Sequence, residues 1–172
     1  MKHVIETGKA GFVAAILMFA VPAAVSAATA TSTLTVTATV LSSCTVAPAT
    51  LAFGNYDPSL ATATTGSTSI IVTCTGAASG SVGLDKGTNG TSVTARAMKL
   101  TAGTDTLNYQ LFQPSGGAAS TTNWGNTPTT DTVAFSATLL VPGTLTVYGS
   151  IPAGQAPTAG AYTDTVNITV TY

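Results

Sequence analysis

Two cysteines, Cys44 and Cys74, five aspartates and one tryptophan, Trp124, are the main side chains with which this 172-residue chain could do chemistry. Its only histidine, His3, and only glutamate, Glu6, lie at the extreme N-terminus. Downstream, the usual general base is therefore missing. Neither a Ser-His-Asp nor a Cys-His nucleophilic arrangement can be assembled from what remains. Asp57, Asp85, Asp105, Asp131 and Asp164 are scattered among turn-forming residues, where carboxylates cap loops or face solvent. A carboxylate pair for glycoside cleavage would have to be brought together by folding alone. Two cysteines without histidine or clustered acids cannot complete a metal site. We therefore assign no catalytic residue, no metal and no cofactor, and expect a protein that is not an enzyme. The even cysteine count implies one disulfide if the chain is exported, against the alternative of two buried thiols. Closing such a loop would stabilise by roughly 3–4 kcal/mol on a chain-entropy estimate.

Export is what the first residues imply. Lys2, His3 and Lys9 precede an apolar run from Phe12 to Val21, followed by Pro22 and the small residues Ala24-Val25-Ser26-Ala27. A basic start, a short apolar stretch and small residues before the cut describe a secretory signal peptide over residues 1–27. The run is too short for a membrane-spanning helix, which needs about 20 apolar residues. With the leader set aside, Lys86, Arg96 and Lys99 face five aspartates, a net charge of −2. So few cations argue against nucleic acid and against an anionic membrane surface as partners. A surface this poor in charge makes a sticky monomer and suits an assembled state. Arg96 and Lys99 read as a weakly basic, solvated pair. Trp124 reads as a packing residue, with a sugar-stacking platform as the alternative. Asn89-Gly90-Thr91 and Asn167-Ile168-Thr169 match the glycosylation tripeptide, as chance readily produces in a threonine-rich chain.

The elements that must position these residues are strands. From Ala28 to Val40 every odd position is threonine, while the even ones read Ala28, Ala30, Ser32, Leu34, Val36, Ala38 and Val40. That period-2 pattern predicts a strand with one apolar and one hydroxyl face. The chain ends the same way. Tyr162, Val166, Ile168, Val170 and Tyr172 share one face, interrupted by Asp164, and threonines with Asn167 share the other. Ile70, Val72 and Cys74 are in register, as are Leu107, Tyr109 and Leu111, and Leu145 and Val147. Turn residues separate these runs at Asn55–Pro58, Asp85–Gly87, Asn89-Gly90 and Pro152–Gly154. The fold class is all-β, a sandwich or barrel. An antibody-type domain is disfavoured, because Trp124 follows both cysteines instead of lying between them.

The order of several segments resembles the spore coat U domain family. These are Cys44-Thr45-Val46, Phe53-Gly54-Asn55-Tyr56-Asp57-Pro58 and Val72-Thr73-Cys74. Leu107-Asn108-Tyr109-Gln110-Leu111-Phe112, Trp124-Gly125 and Leu145-Thr146-Val147-Tyr148-Gly149 follow. Ile151-Pro152-Ala153-Gly154-Gln155 and Gly160-Ala161-Tyr162-Thr163-Asp164-Thr165-Val166 complete the series. That family includes the major subunits of archaic (Csu-type) chaperone–usher pili. The resemblance implies an incomplete Ig-like β-sandwich completed by a donated strand, with a disulfide between Cys44 and Cys74. It implies a signal peptide over 1–27, a donor segment over 28–42 and a pilin domain over 43–172. The donor face would be Ala30, Ser32, Leu34, Val36, Ala38 and Val40. Val166, Ile168, Val170 and Tyr172 would form the C-terminal strand beside the acceptor groove. The implied partners are a periplasmic chaperone, an outer-membrane usher and further copies of the chain, joined head to tail in a cell-surface fimbrium. Because the chain has one domain and a donor-like strand, a shaft subunit fits better than a tip adhesin. Two other classes remain open. A non-polymerising secreted coat or matrix protein would stay monomeric on sizing, and a carbohydrate-binding β-sandwich module would bind glycans through exposed aromatics.

Overall fold

The structure, a computed structural model, describes residues 26–172. All but the last two positions of the expected leader lie outside the described residues. The chain divides into two units, Met1–Ala38 and Thr39–Tyr172. In the first, residues 26–38 are exposed throughout and belong to no strand. The strand expected over 28–40 is therefore not formed within one chain. Its alternating pattern supplies a face, but a strand also needs a neighbour for its backbone groups.

In the second unit, alternation builds two antiparallel sheets. One contains β1 (Cys44–Val46), β2 (Thr64–Cys74), β4 (Arg96–Leu100), β5 (Thr106–Phe112), β7 (Gly143–Ile151) and β8 (Tyr162–Thr163). Its order is β1-β2-β7-β5-β4-β8. The other contains β3 (Ala78–Leu84), β6 (Val133–Ala137) and β9 (Ile168–Thr171), in the order β6-β3-β9. The expected all-β class is observed. Ile70, Val72 and Cys74 of β2 are buried while Ile71 and Thr73 point outward. The same period buries Leu107, Tyr109 and Leu111 of β5, and Val147 and Ile151 of β7. Val82 and Leu84 meet them from β3, and Phe135 and Ala137 from β6, in one core.

The C-terminal run departs from a single strand. Burial alternates along it without a break, but Tyr162 pairs with Leu100 in the larger sheet whereas Ile168 pairs with Leu84 in the smaller. Between these points the backbone is held by loop contacts rather than a ladder. Thr88 N donates to Thr165 O and Asp85 N to Asn167 O, each at 3.1 Å.

Trp124 is fully buried, and its indole N–H donates to Val82 O at 2.8 Å. It is a core residue, and the sugar-platform alternative is excluded at this position. Arg96 corrects the sequence reading. It is no solvated partner of Lys99 but as fully buried as Trp124. Cys44 and Cys74 face each other across β1 and β2 with Cα atoms 4.1 Å apart and are joined in a disulfide. The bridge links neighbours within one sheet, unlike the inter-sheet bridge of antibody domains.

Candidate functional site: an open groove beside the last strand

β9 has a hydrogen-bonded neighbour on one side only, β3. Alternate residues of an extended strand aim their N–H and C=O groups at opposite edges. The carbonyls of Thr165 and Asn167 are engaged toward the β3 side. Val166, Ile168 and Val170 therefore direct theirs toward the other edge, where no strand pairs with them among the described residues. Their side chains pack against the core from the same run.

The opposite bank is the segment around Leu51 and Phe53, which lies on the inner face of the larger sheet. Gly66 and Gly149, directly paired between β2 and β7, make room for it. A Cβ on Gly149 would stand 2.7 Å from the Phe53 ring, and one on Gly66 would stand 3.0 Å from Ala52 O. Between the banks runs a cleft of about 290 Å³, with Ile70, Leu111 and Val147 as its floor. It continues into a wider hollow of about 790 Å³ bounded by Tyr56 and by Pro157 to Tyr162. Leu51, Phe53, Met98 and Tyr162 line both compartments, so the two adjoin. Its lining is mainly apolar, and its open side lies where the smaller sheet would continue past β9.

A polar lattice holds the β9 bank in place. Asp164 Oδ1 accepts from the backbone N–H of Thr88 and Asn89 and from Asn89 Nδ2, at 3.0, 3.3 and 3.0 Å. Tyr109 Oη donates to Asp164 Oδ2 at 2.7 Å. Gly87 is left-handed (φ 76°), and a Cβ there would collide with the Asp164 carboxylate. Asp85 accepts from the N–H groups of Gly87 and Asn167, both at 2.9 Å, and from Asn167 Nδ2 at 2.6 Å. Burial opposes its ionised form, but these donors and the nearby Arg96 cation hold its carboxyl below the usual range. Arg96 donates to four main-chain carbonyls: Asp85, Val93, Leu84 and Trp124 at 2.8, 2.8, 3.0 and 2.6 Å. Burial lowers the Arg96 pKa, opposed by Tyr109 and the surrounding aspartates. Burial and the Asp164 hydrogen bond push the Tyr109 phenol well above its ordinary value.

At the far end, Tyr56 Oη accepts from Gln155 N at 2.9 Å. The Gln155 side-chain amide pairs with both backbone groups of Asn108, accepting from N at 2.8 Å and donating to O at 2.9 Å. A side chain thus substitutes for a neighbouring strand where β7 has diverged from β5.

The structure brings Val166, Ile168 and Val170 together along one bank. Tyr172 does not join them; it lies beyond β9 and is 55% exposed. The β3 ladder ends at Ser81↔Thr171, and the backbone of Thr171 and Tyr172 then passes close over Gly80, which offers no side chain to pack against. In the first unit Ala30, Ser32 and Ala38 are exposed, as are Leu34 and Val36 at 88% and 82%. Val40, in the second unit, is 89% exposed. Asp164, Tyr109 and the Leu51–Phe53 bank are groove residues that sequence reasoning did not assign. The break that Asp164 makes in an apolar face was the one available signal.

Fold and groove together define a β-sandwich domain with an unpaired strand edge over an open core. The spore coat protein U domain matches residues 30–169, and the chain belongs to that family. Protein U of Myxococcus xanthus is 34% identical over 133 residues, 72% of this chain and 72% of its own length. Among solved structures, the chain is similar to the chaperone–tip adhesion subunit pre-assembly complex CsuC–CsuE. That complex comes from the archaic chaperone–usher Csu pili of Acinetobacter baumannii. Identity is 22% and the TM-score 0.48, over 78% of this chain and 40% of the solved one.

Proposed function

We propose that this chain is a structural, non-enzymatic shaft subunit of a surface fimbrium. It is exported through a leader over residues 1–27 and assembled by the chaperone–usher route, in support of adhesion or biofilm formation. The observation that carries the reading is the free edge of Val166, Ile168 and Val170 beside an open apolar groove. A groove of that kind accepts an added strand, whose backbone pairs with the edge while alternate side chains enter the core. A periplasmic chaperone supplies the first strand, and residues 28–42 of the next copy replace it at an outer-membrane usher. Ala30, Ser32, Leu34, Val36, Ala38 and Val40 then face the core. Leu34, Val36 and Val40 contribute roughly 1.5–3 kcal/mol each when fully buried, and the smaller residues fill their pockets shallowly. Head-to-tail donation does not close on itself, so it yields a filament.

The test is electrophoresis of cell-surface extracts with and without boiling. The expected result is a ladder of multimers that collapses to monomer on heating. Deleting residues 28–40 should abolish the ladder while the subunit still co-purifies with its chaperone. Heat-resistant monomers only, or an intact ladder after the deletion, would refute the mechanism.

A further inference from the structure

The outer face of the larger sheet carries a second cleft, turned away from the groove. Register places Ser67 of β2, Tyr148 of β7 and Phe112 of β5 side by side in one row. Thr65 and Ser150 pair in the next. Gly66 and Gly149, which alternate with these residues, face inward toward Leu51 and Phe53, so the row lies on the outer surface. The loop after β5 closes over it. Gln113 N donates to Thr122 O at 3.0 Å, and two left-handed glycines, Gly116 and Gly117, fold the intervening chain back. A cleft of about 500 Å³ results, within the range of about 300–1,000 Å³ typical of small-molecule sites.

Its chemistry is unusual in this molecule. Two half-buried aromatic rings, Phe112 and Tyr148, sit among the hydroxyls of Thr65, Ser67, Ser120, Thr121 and Ser150, and no lining residue is charged. None of these hydroxyls, nor that of Tyr148, takes part in a hydrogen bond among the described residues. For the exposed ones, water suffices. Ser120 is different: only 8% exposed, its Oγ is buried without a partner. A buried polar atom left unpaired costs free energy, but Ser120 Oγ has almost no accessible surface, so a molecule in the cleft would meet the other hydroxyls.

We propose that this cleft binds a neutral saccharide. A pyranose ring has an apolar C–H face that lies against an aromatic ring and a rim of hydroxyls that both donate and accept. Phe112 and Tyr148 match the first, and the serine and threonine hydroxyls match the second. A carboxylated sugar would meet no cation among the lining residues. The site is independent of strand donation, since none of its aromatic and hydroxyl residues lines the groove.

The full chain should be titrated with methyl α-glycosides of glucose, galactose and mannose, with glucuronic acid as the charged comparator, by saturation-transfer NMR. At least one neutral glycoside should bind saturably in the millimolar range, and glucuronic acid at least tenfold more weakly. Tyr148→Ala should weaken binding at least tenfold. The exposed double variant Ser67→Ala/Thr65→Ala, which leaves the core untouched, should also weaken it. Multimer ladders should persist in both. No saturable binding of any neutral glycoside up to about 50 mM, a free energy weaker than about −2 kcal/mol, overturns the proposal. Binding that survives all these changes, or equal binding of glucuronic acid, also overturns it.

Discussion

The guanidinium of Arg96 donates from Nη2 to the main-chain carbonyl of Trp124 at 2.6 Å, and both side chains are fully buried. Arg96 is thus the internal tie between the loop carrying Trp124 and the turn after β3. A planar fork reaches four carbonyls at once; a lysine ammonium is a single point with three donors. Arg96→Met should lower unfolding free energy by at least about 3 kcal/mol, because buried carbonyls lose their donors. Arg96→Lys should recover little of that loss. Urea unfolding of both variants checks this, and a loss under about 1 kcal/mol for Arg96→Lys would refute the argument.

Stability should decline at both ends of the pH scale, for different residues. The Asp85 carboxyl is held below its unfolded value. Its contribution is therefore complete above the unfolded pKa of about 4 and disappears as pH falls through the lower folded value. Tyr109 is shifted the other way. Its contribution is complete below the unfolded pKa of about 10 and is lost as pH rises above it, when only the unfolded chain ionises freely. Asp85→Asn should reduce stability at neutral pH and flatten the acid branch of a melting-temperature profile. Tyr109→Phe should flatten the alkaline branch and leave the acid branch as it was.

Gln155 should matter more than its exposed hydrogen bonds suggest. Its amide closes both backbone groups of Asn108, and its backbone is held by Tyr56. Gln155→Ala should cost about 1–2 kcal/mol, the range for losing a pair of hydrogen bonds. Gln155→Glu keeps the acceptor but not the donor and should recover about half. Amide exchange at Asn108, measured by NMR, should accelerate in both variants, most in Gln155→Ala.

A fourth prediction concerns filling the groove within one chain. A copy of residues 28–40, fused after Tyr172 through a short flexible linker, has an effective concentration on the order of millimolar. With the native segment deleted, the fusion should be monomeric, independent of chaperone and higher-melting than the unfused domain. Val36→Asp in the copy should undo much of the gain, because a carboxylate would enter an apolar pocket unpaired. An unchanged melting temperature in the fusion would show that the segment is only a linker.

Much of the sandwich was legible because its strands obey a period that any reader of the chain can count. Ile70, Val72 and Cys74, or Leu107, Tyr109 and Leu111, announce one buried face without knowledge of their partners. Arg96 was misread because charge predicts exposure until four carbonyls from distant loops converge on it. The Leu51–Phe53 bank was missed for a similar reason. It depends on Gly66 and Gly149, and the absence of a side chain acquires meaning only when two strands are paired. The split of the C-terminal run is also invisible to periodicity, since both halves bury the same face. Residues 28–40 show the converse, a strand pattern with no paired neighbour among the described residues.

The disulfide between Cys44 and Cys74 has a mechanical consequence. In a fibre joined through the segment before it, pulling force would enter the domain at Cys44. β1, only three residues long, offers few hydrogen bonds to resist peeling. The sulfur bridge bypasses them and passes the load covalently into the end of β2, an eleven-residue strand paired along nearly its whole length with β7. Under tension the weak outer strand is then a spectator. Reduction would move the breaking point from the body of the sandwich to its edge.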